Sequence, residues 1–86
     1  MEKTELPVYH FQKSWGGKAF IGILGDEKVL LSYGRKVAVW TVKGMEILGW
    51  HSDTTQRHTN AFLVYLGFQT MKKKEMIAAI GTTITN

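Results

Sequence analysis

From Lys28 to Trp50 the chain runs through three short stretches of alternating or β-branched apolar residues separated by glycine-bearing dipeptides. That pattern points to an antiparallel meander. Val29, Leu31 and Tyr33 share one face of the first stretch. In the second, Val37, Val39 and Thr41 fall on one face and Ala38, Trp40 and Val42 on the other. Such side chains suit a pleated, half-buried surface. Gly34–Arg35 fits a two-residue hairpin with glycine first, and Lys43–Gly44 fits a second before Met45 to Trp50.

Upstream, Pro7 to Phe11 reads as a short edge strand, because proline is tolerated at a strand's first residue. Lys13 to Gly17 carries the glycine pair of a loop, and Ala19 to Leu24 is a further β-type run closed by Gly25 to Glu27. Residues 1–6 are expected to be a flexible N-terminal tail and residues 7–86 one domain. After Trp50 the period changes. Ser52 to Thr55 supplies oxygen side chains suited to a helix N-cap, then His58, Ala61, Phe62, Tyr65 and Leu66 recur on one helical face until Gly67 stops it. Thr70 can cap a second helix with Met76, Ile77 and Ile80 inward and Lys72 to Lys74 outward. The expected fold class is α+β: a small antiparallel meander of four to five strands, packed by a main helix over about 54–66 and a shorter C-terminal helix over about 71–80. Thr82 to Asn86 is β-prone, and its pairing is left open.

A chain of 86 residues buries roughly 60–65% of its unfolded surface and so has a thin core. Without cysteine it gains nothing from disulfides or thiolate zinc, which makes the cytoplasm its natural compartment and leaves room for a homodimer that shares the core. No apolar run reaches the ~20 residues of a membrane helix, so no membrane partner is expected.

Two stretches carry a resemblance. Ser32, Tyr33, Val37 and Ala38, followed by Ser52, Thr54, Thr55, His58, Phe62 and Leu63, match the order Ser-Tyr-x-Thr-x-Val-Ala and then Ser-x-Thr-Thr-x-x-His-x-x-x-Phe-Leu. In this the chain resembles a family of small uncharacterised tailed-phage proteins. It departs at Arg35, where the pattern has threonine. The resemblance covers a little under half the chain and implies a phage origin and a fold outline, with no activity attached. Very small phage proteins commonly redirect host machinery by occupying a surface, an argument from analogy.

Catalytic and metal chemistry find little support in the residue pattern. His10, His51 and His58, with Asp53, are the candidate metal ligands, yet no tight His–His or Cys–Cys pair occurs. His58, one turn before Phe62, reads as an interior histidine bonded to a strand carbonyl or to the Thr54 and Thr55 hydroxyls. Ser52–Asp53 reads as a cap rather than as part of a nucleophilic triad. Trp15-Gly-Gly-Lys18 lacks phosphate-loop spacing. Neither metal, cofactor nor enzymatic activity is expected.

Binding remains. The net charge of +4 is uneven: residues 1–27 hold three lysines against four acids, and residues 28–86 hold eight basic residues against three acids. The chain is also rich in aromatics, and partly exposed Trp, Tyr and Arg are what interface hot spots are made of. The partner-contact candidates are Trp15, expected to stand exposed on its glycine-flanked loop, with Tyr33, Arg35, Lys36 and Trp40. The expected function is a non-enzymatic phage-type protein that binds and modulates or inhibits a host protein, a defence system among the candidates. The alternative is a small nucleic-acid-binding protein using Arg35, Lys36, Lys43, Lys72, Lys73 and Lys74.

Overall fold

Alternating runs do become the sheet, and it is longer than the meander alone. The computed structural model describes residues 2–8 and 14–85. Six strands, β1 (Glu2–Glu5), β2 (Ala19–Leu24), β3 (Glu27–Ser32), β4 (Arg35–Thr41), β5 (Gly44–Ile47) and β6 (Thr83–Ile84), lie in sequence order, every neighbouring pair antiparallel. Two helices, α1 (Asp53–Tyr65) and α2 (Lys73–Ala79), are inserted between β5 and β6. The fold is α+β as expected, with six strands instead of four or five.

Both additional strands come from segments read as tails. Glu2–Glu5 pairs with Phe20 to Ile23 along the sheet edge, and Leu6 behind it is fully buried, its N–H donating to the Ala19 carbonyl at 3.0 Å. The expected edge strand at Pro7 to Phe11 is not found at Pro7 and Val8, and its remainder lies outside the described residues. At the far edge, Met45 pairs with Ile84 and Glu46 with Thr83.

The two expected hairpin turns each lie one residue earlier in the chain. Ser32 pairs with Arg35, so Tyr33–Gly34 is the first turn; Thr41 pairs with Gly44, so Val42–Lys43 is the second. Tyr33 and Gly34 have φ of 54° and 77°, the sign pattern of the type I′ turn that matches strand twist. A bulge between Leu30 and Leu31 on β3 and their β4 partners explains a further difference: Leu30 opposes Ala38 while Leu31 opposes Lys36, leaving Val37 over. Val37 and Ala38 are consequently both fully buried in the core, instead of on opposite faces.

One face of the sheet holds the core. Ala19, Ile21, Leu30, Ala38, Met45 and Ile47 pack with Ala61, Phe62 and Leu63 of α1 and Met76 of α2. Each large side chain buried here contributes about 1.5–3 kcal/mol. The Ser52 hydroxyl accepts from the Thr55 N–H at 3.1 Å, capping α1. At the other end Phe68 N–H donates to the Leu63 carbonyl at 2.8 Å and Gly67 N–H to the Val64 carbonyl at 3.1 Å, a Schellman stop with Gly67 at φ 85°. Helix α2 starts at Lys73, with the Lys72 N–H bonded to the Glu75 carboxylate, so Thr70 is not its cap. Only Met76 is buried on α2: Ile77 and Ile80, expected inward, are 45% and 39% exposed. In its seven residues, about two turns, the helix directs one side chain fully into the core. Asn60 ties the segment before α2 down, its amide donating to and accepting from the Met71 backbone at 3.0 and 2.8 Å.

Candidate functional site

Ser32 ends β3 facing the helix layer, and it is bonded to two other polar side chains in the core. Its hydroxyl lies 2.7 Å from His58 Nδ1 and 3.1 Å from the Thr55 hydroxyl. The Ser52 hydroxyl donates to Thr55 Oγ1 at 3.3 Å and accepts the Thr55 N–H. Ser32, Thr55 and His58 are all buried, so each bond is made without competition from water. Burial, and after it the positive charge of Lys18, hold His58 below the ordinary histidine range, so the ring is neutral at pH 7. With Nδ1 as acceptor each hydroxyl proton is used once, Ser52 to Thr55, Thr55 to Ser32 and Ser32 to His58, while the Thr55 N–H goes to Ser52. The chain of bonds joins the end of β3 to the first two turns of α1. Trp15 closes over the His58 ring edge-on, centroids 4.9 Å apart, and its indole N–H donates to the Pro7 carbonyl at 3.2 Å.

The surface above this network is formed by the next residues of the β3–β4 turn. Tyr33 is 56% exposed and is the one residue other than glycine with positive φ among those described. Such a conformation costs a bulky side chain on the order of 1–3 kcal/mol and marks functional positions more often than others. Its ring lies 5.8 Å from that of His58, and the Lys18 ammonium stands 5.7 Å from its centre. Arg35, also exposed, donates from a guanidinium nitrogen to His51 Nδ1 at 3.1 Å. Between turn and helix lies a shallow pocket of about 220 Å³ lined by Ser32, Tyr33, Arg35, His51, Ser52 and Thr55.

A family profile matches residues 4–78, from β1 into α2. The chain belongs to DUF8033, a family of unknown function. No curated protein and no solved structure matches it.

In this DUF8033 chain the partner-contact candidates separate. Tyr33, Arg35 and Lys36 stay together at the β3–β4 turn. Trp15, expected to be exposed, is 7% exposed and part of the core, because the polar N–H of its ring finds a backbone carbonyl and its edge finds His58. Trp40 is half-buried towards the other end of β4, with the Lys28 ammonium 4.8 Å from its ring centre. Lys43 sits in the Val42–Lys43 turn. Lys72, Lys73 and Lys74 are exposed at the start of α2, and Lys73 covers the Trp50 ring at 4.3 Å while the Trp50 N–H bonds Gln56 at 2.9 Å.

His51 and His58 are engaged separately: one bonds Arg35 and the other Ser32. No group of three metal-ligating side chains occurs among the described residues, which exclude His10. Among the described residues no helix is long and apolar enough to cross a membrane.

Ser32 was missed as a site residue, and so was the pairing of Arg35, a partner-contact candidate, with His51, considered only as a metal ligand. Ser32 carried a signal, a hydroxyl at the end of an aliphatic strand facing the core, where it needs a buried partner. Ser32, Tyr33, Ser52, Thr55 and His58, drawn from the two separate stretches at the end of β3 and the start of α1, meet here.

Proposed function

We propose that this protein is a non-enzymatic binding module of phage type that attaches to a host protein and modulates or inhibits it in the host cytoplasm, a defence component being a candidate target. The observation that carries the reading is Tyr33, an exposed aromatic ring held in a strained turn beside an exposed arginine and anchored by a buried polar network. Tyr and Arg on a rigid support are the composition of an interface hot spot. A support that does not move on binding spares the entropy of ordering it. The Ser32 hydroxyl, which sits beside a histidine, is engaged with Thr55 as well and almost wholly buried, which favours a supporting role over a nucleophilic one.

The test is affinity capture from nuclease-treated host lysate with the wild-type chain, Tyr33→Ala and Arg35→Glu, each checked for an unchanged circular dichroism spectrum. One protein recovered by the wild type and lost with both variants supports the reading. Identical recovery by all three refutes it.

Nucleic acid is the second reading, favoured by three lysines standing over aromatic rings: Lys18 on Tyr33, Lys28 on Trp40 and Lys73 on Trp50. Base stacking and phosphate contact use the same pairings, with stacking worth about 1–3 kcal/mol per base. The discriminating measurement is the salt dependence of oligonucleotide binding, which falls by about 0.7 decades per phosphate contact for each decade of salt on single strands. Absence of saturable binding at micromolar protein removes this reading.

A further inference from the structure

Arg35 is oriented by its protein partner without being neutralised by it. A guanidinium has only donors, so His51 Nδ1 must accept from it, and among the described residues the rest of the fork has no other hydrogen-bond partner. No carboxylate pairs with Arg35 among the described residues, and no acidic side chain lines the adjoining pocket. Asp53, next in sequence to Ser52, is exposed and lies outside that lining.

Inside the pocket the hydroxyl protons are not equally bound. Ser32 and Thr55 are buried, and their protons are taken up within the network. Ser52 is exposed, and its bond to Thr55 is the longest of the network at 3.3 Å. It is the hydroxyl that can turn its proton outward with least loss. The volume, about 220 Å³, is several times the roughly 30 Å³ share of one water molecule.

We propose that the pocket between the Tyr33–Gly34 turn and the start of α1 is an oxyanion site, in which the Arg35 guanidinium and the Ser52 hydroxyl hold the oxygens of a carboxylate or phosphate group. The arginine fork matches either group with two parallel hydrogen bonds. His51 keeps the fork in place, and Tyr33 walls the pocket on the turn side. This deepens the host-protein reading and rests on it for its biological meaning: the partner supplies the acidic group.

The probes are inorganic phosphate and acetate, each replacing chloride at constant ionic strength, with chemical shifts of the isotope-labelled chain followed by NMR. Saturable shifts are expected at the Arg35 side chain and at the Ser52 and Thr55 amides. Arg35→Gln should weaken half-saturation at least tenfold, while Lys3→Gln, on the edge strand, leaves it within twofold. Saturation with acetate assigns the site to carboxylates, and saturation with phosphate alone assigns it to phosphoryl groups. Shifts that grow linearly in both series, or an equal effect of the two variants, overturn the proposal. If the anions bind but capture of the host protein is indifferent to Arg35, the contact reading falls and the oxyanion site stands. If capture needs Arg35 and neither anion saturates, the oxyanion site falls alone.

Discussion

Replacing Ser32 with alanine removes one oxygen and leaves two buried groups without their partners. His58 Nδ1 loses a donor at 2.7 Å, and the Thr55 hydroxyl loses its acceptor at 3.1 Å. Neither side chain is open to water, His58 being 1% and Thr55 4% exposed. A buried polar group left unpaired costs about 1–3 kcal/mol. Partial rearrangement of Thr55 towards Ser52 recovers a fraction, so the expected loss is about 2–4 kcal/mol, or a fall in Tm of about 10–20 °C for a chain of this length. The cavity left by one oxygen adds little. Urea unfolding followed by tryptophan fluorescence measures the loss, and an unchanged m-value shows that the exposed surface is the same. His58→Leu supplies the second corner of a double-mutant cycle. Once the ring is gone, Ser32→Ala has less to orphan, so the double variant should be less destabilised than the sum by about 1 kcal/mol or more. A Ser32→Ala loss below about 0.5 kcal/mol, or strict additivity with His58→Leu, would refute the idea that this network ties sheet to helix.

Three further outcomes are expected. Because His58 is held below its ordinary range when folded, the unfolded chain binds its proton first as the pH drops. The stability contributed by the neutral ring is complete above about pH 6.5 and declines as the pH falls from there through the lower folded value; urea midpoints at pH 7.5 and 5.5 should show this loss, smaller in His58→Leu. Tyr33→Asn places a residue that tolerates positive φ before Gly34, so thermal melting should rise by the equivalent of about 0.5–1 kcal/mol while capture of the partner is lost. Gly44→Ala should detach β6, because φ is 138° and the added methyl meets the Ile84 carbonyl oxygen; about 2 kcal/mol or more is expected in urea unfolding, together with faster amide exchange along β5.

The sheet was legible wherever a stretch reports on its own environment. Ala19 to Leu24 and Lys28 to Val42 carry β-branched and aromatic side chains in strand-length runs, and α1 carries a cap, a periodic face and a glycine stop. What escaped depends on a partner distant in sequence. Glu2–Glu5 is polar throughout because both its faces are exposed at the edge; it is a strand by virtue of its hydrogen bonds to β2, which its own composition does not announce. The first turn shifted by one residue because Tyr33 accepts a glycine-like φ, a choice local propensity argues against. Trp15 was misplaced for a related reason. A tryptophan beside two glycines looks mobile until the His58 ring, 43 positions later, gives it a wall to close against.

The same long-range dependence bears on how the candidate site works. Ser32 is simultaneously the last residue of β3, the cross-strand partner of Arg35 and the link to α1 through His58 and Thr55. Fixing its side chain therefore fixes both ends of the turn that carries Tyr33, and Arg35 is held a second time through His51, in the segment that leads into the helix. A hairpin tip on its own would sample many orientations and lose that freedom on binding, at about 0.5–1.5 kcal/mol for each rotamer-rich side chain immobilised. Here the freedom is removed during folding, by groups that lie in the core or beside it. The histidine beneath the turn is neutral, buried and bonded to the serine, so the turn rests on uncharged groups that have little to gain by moving towards water.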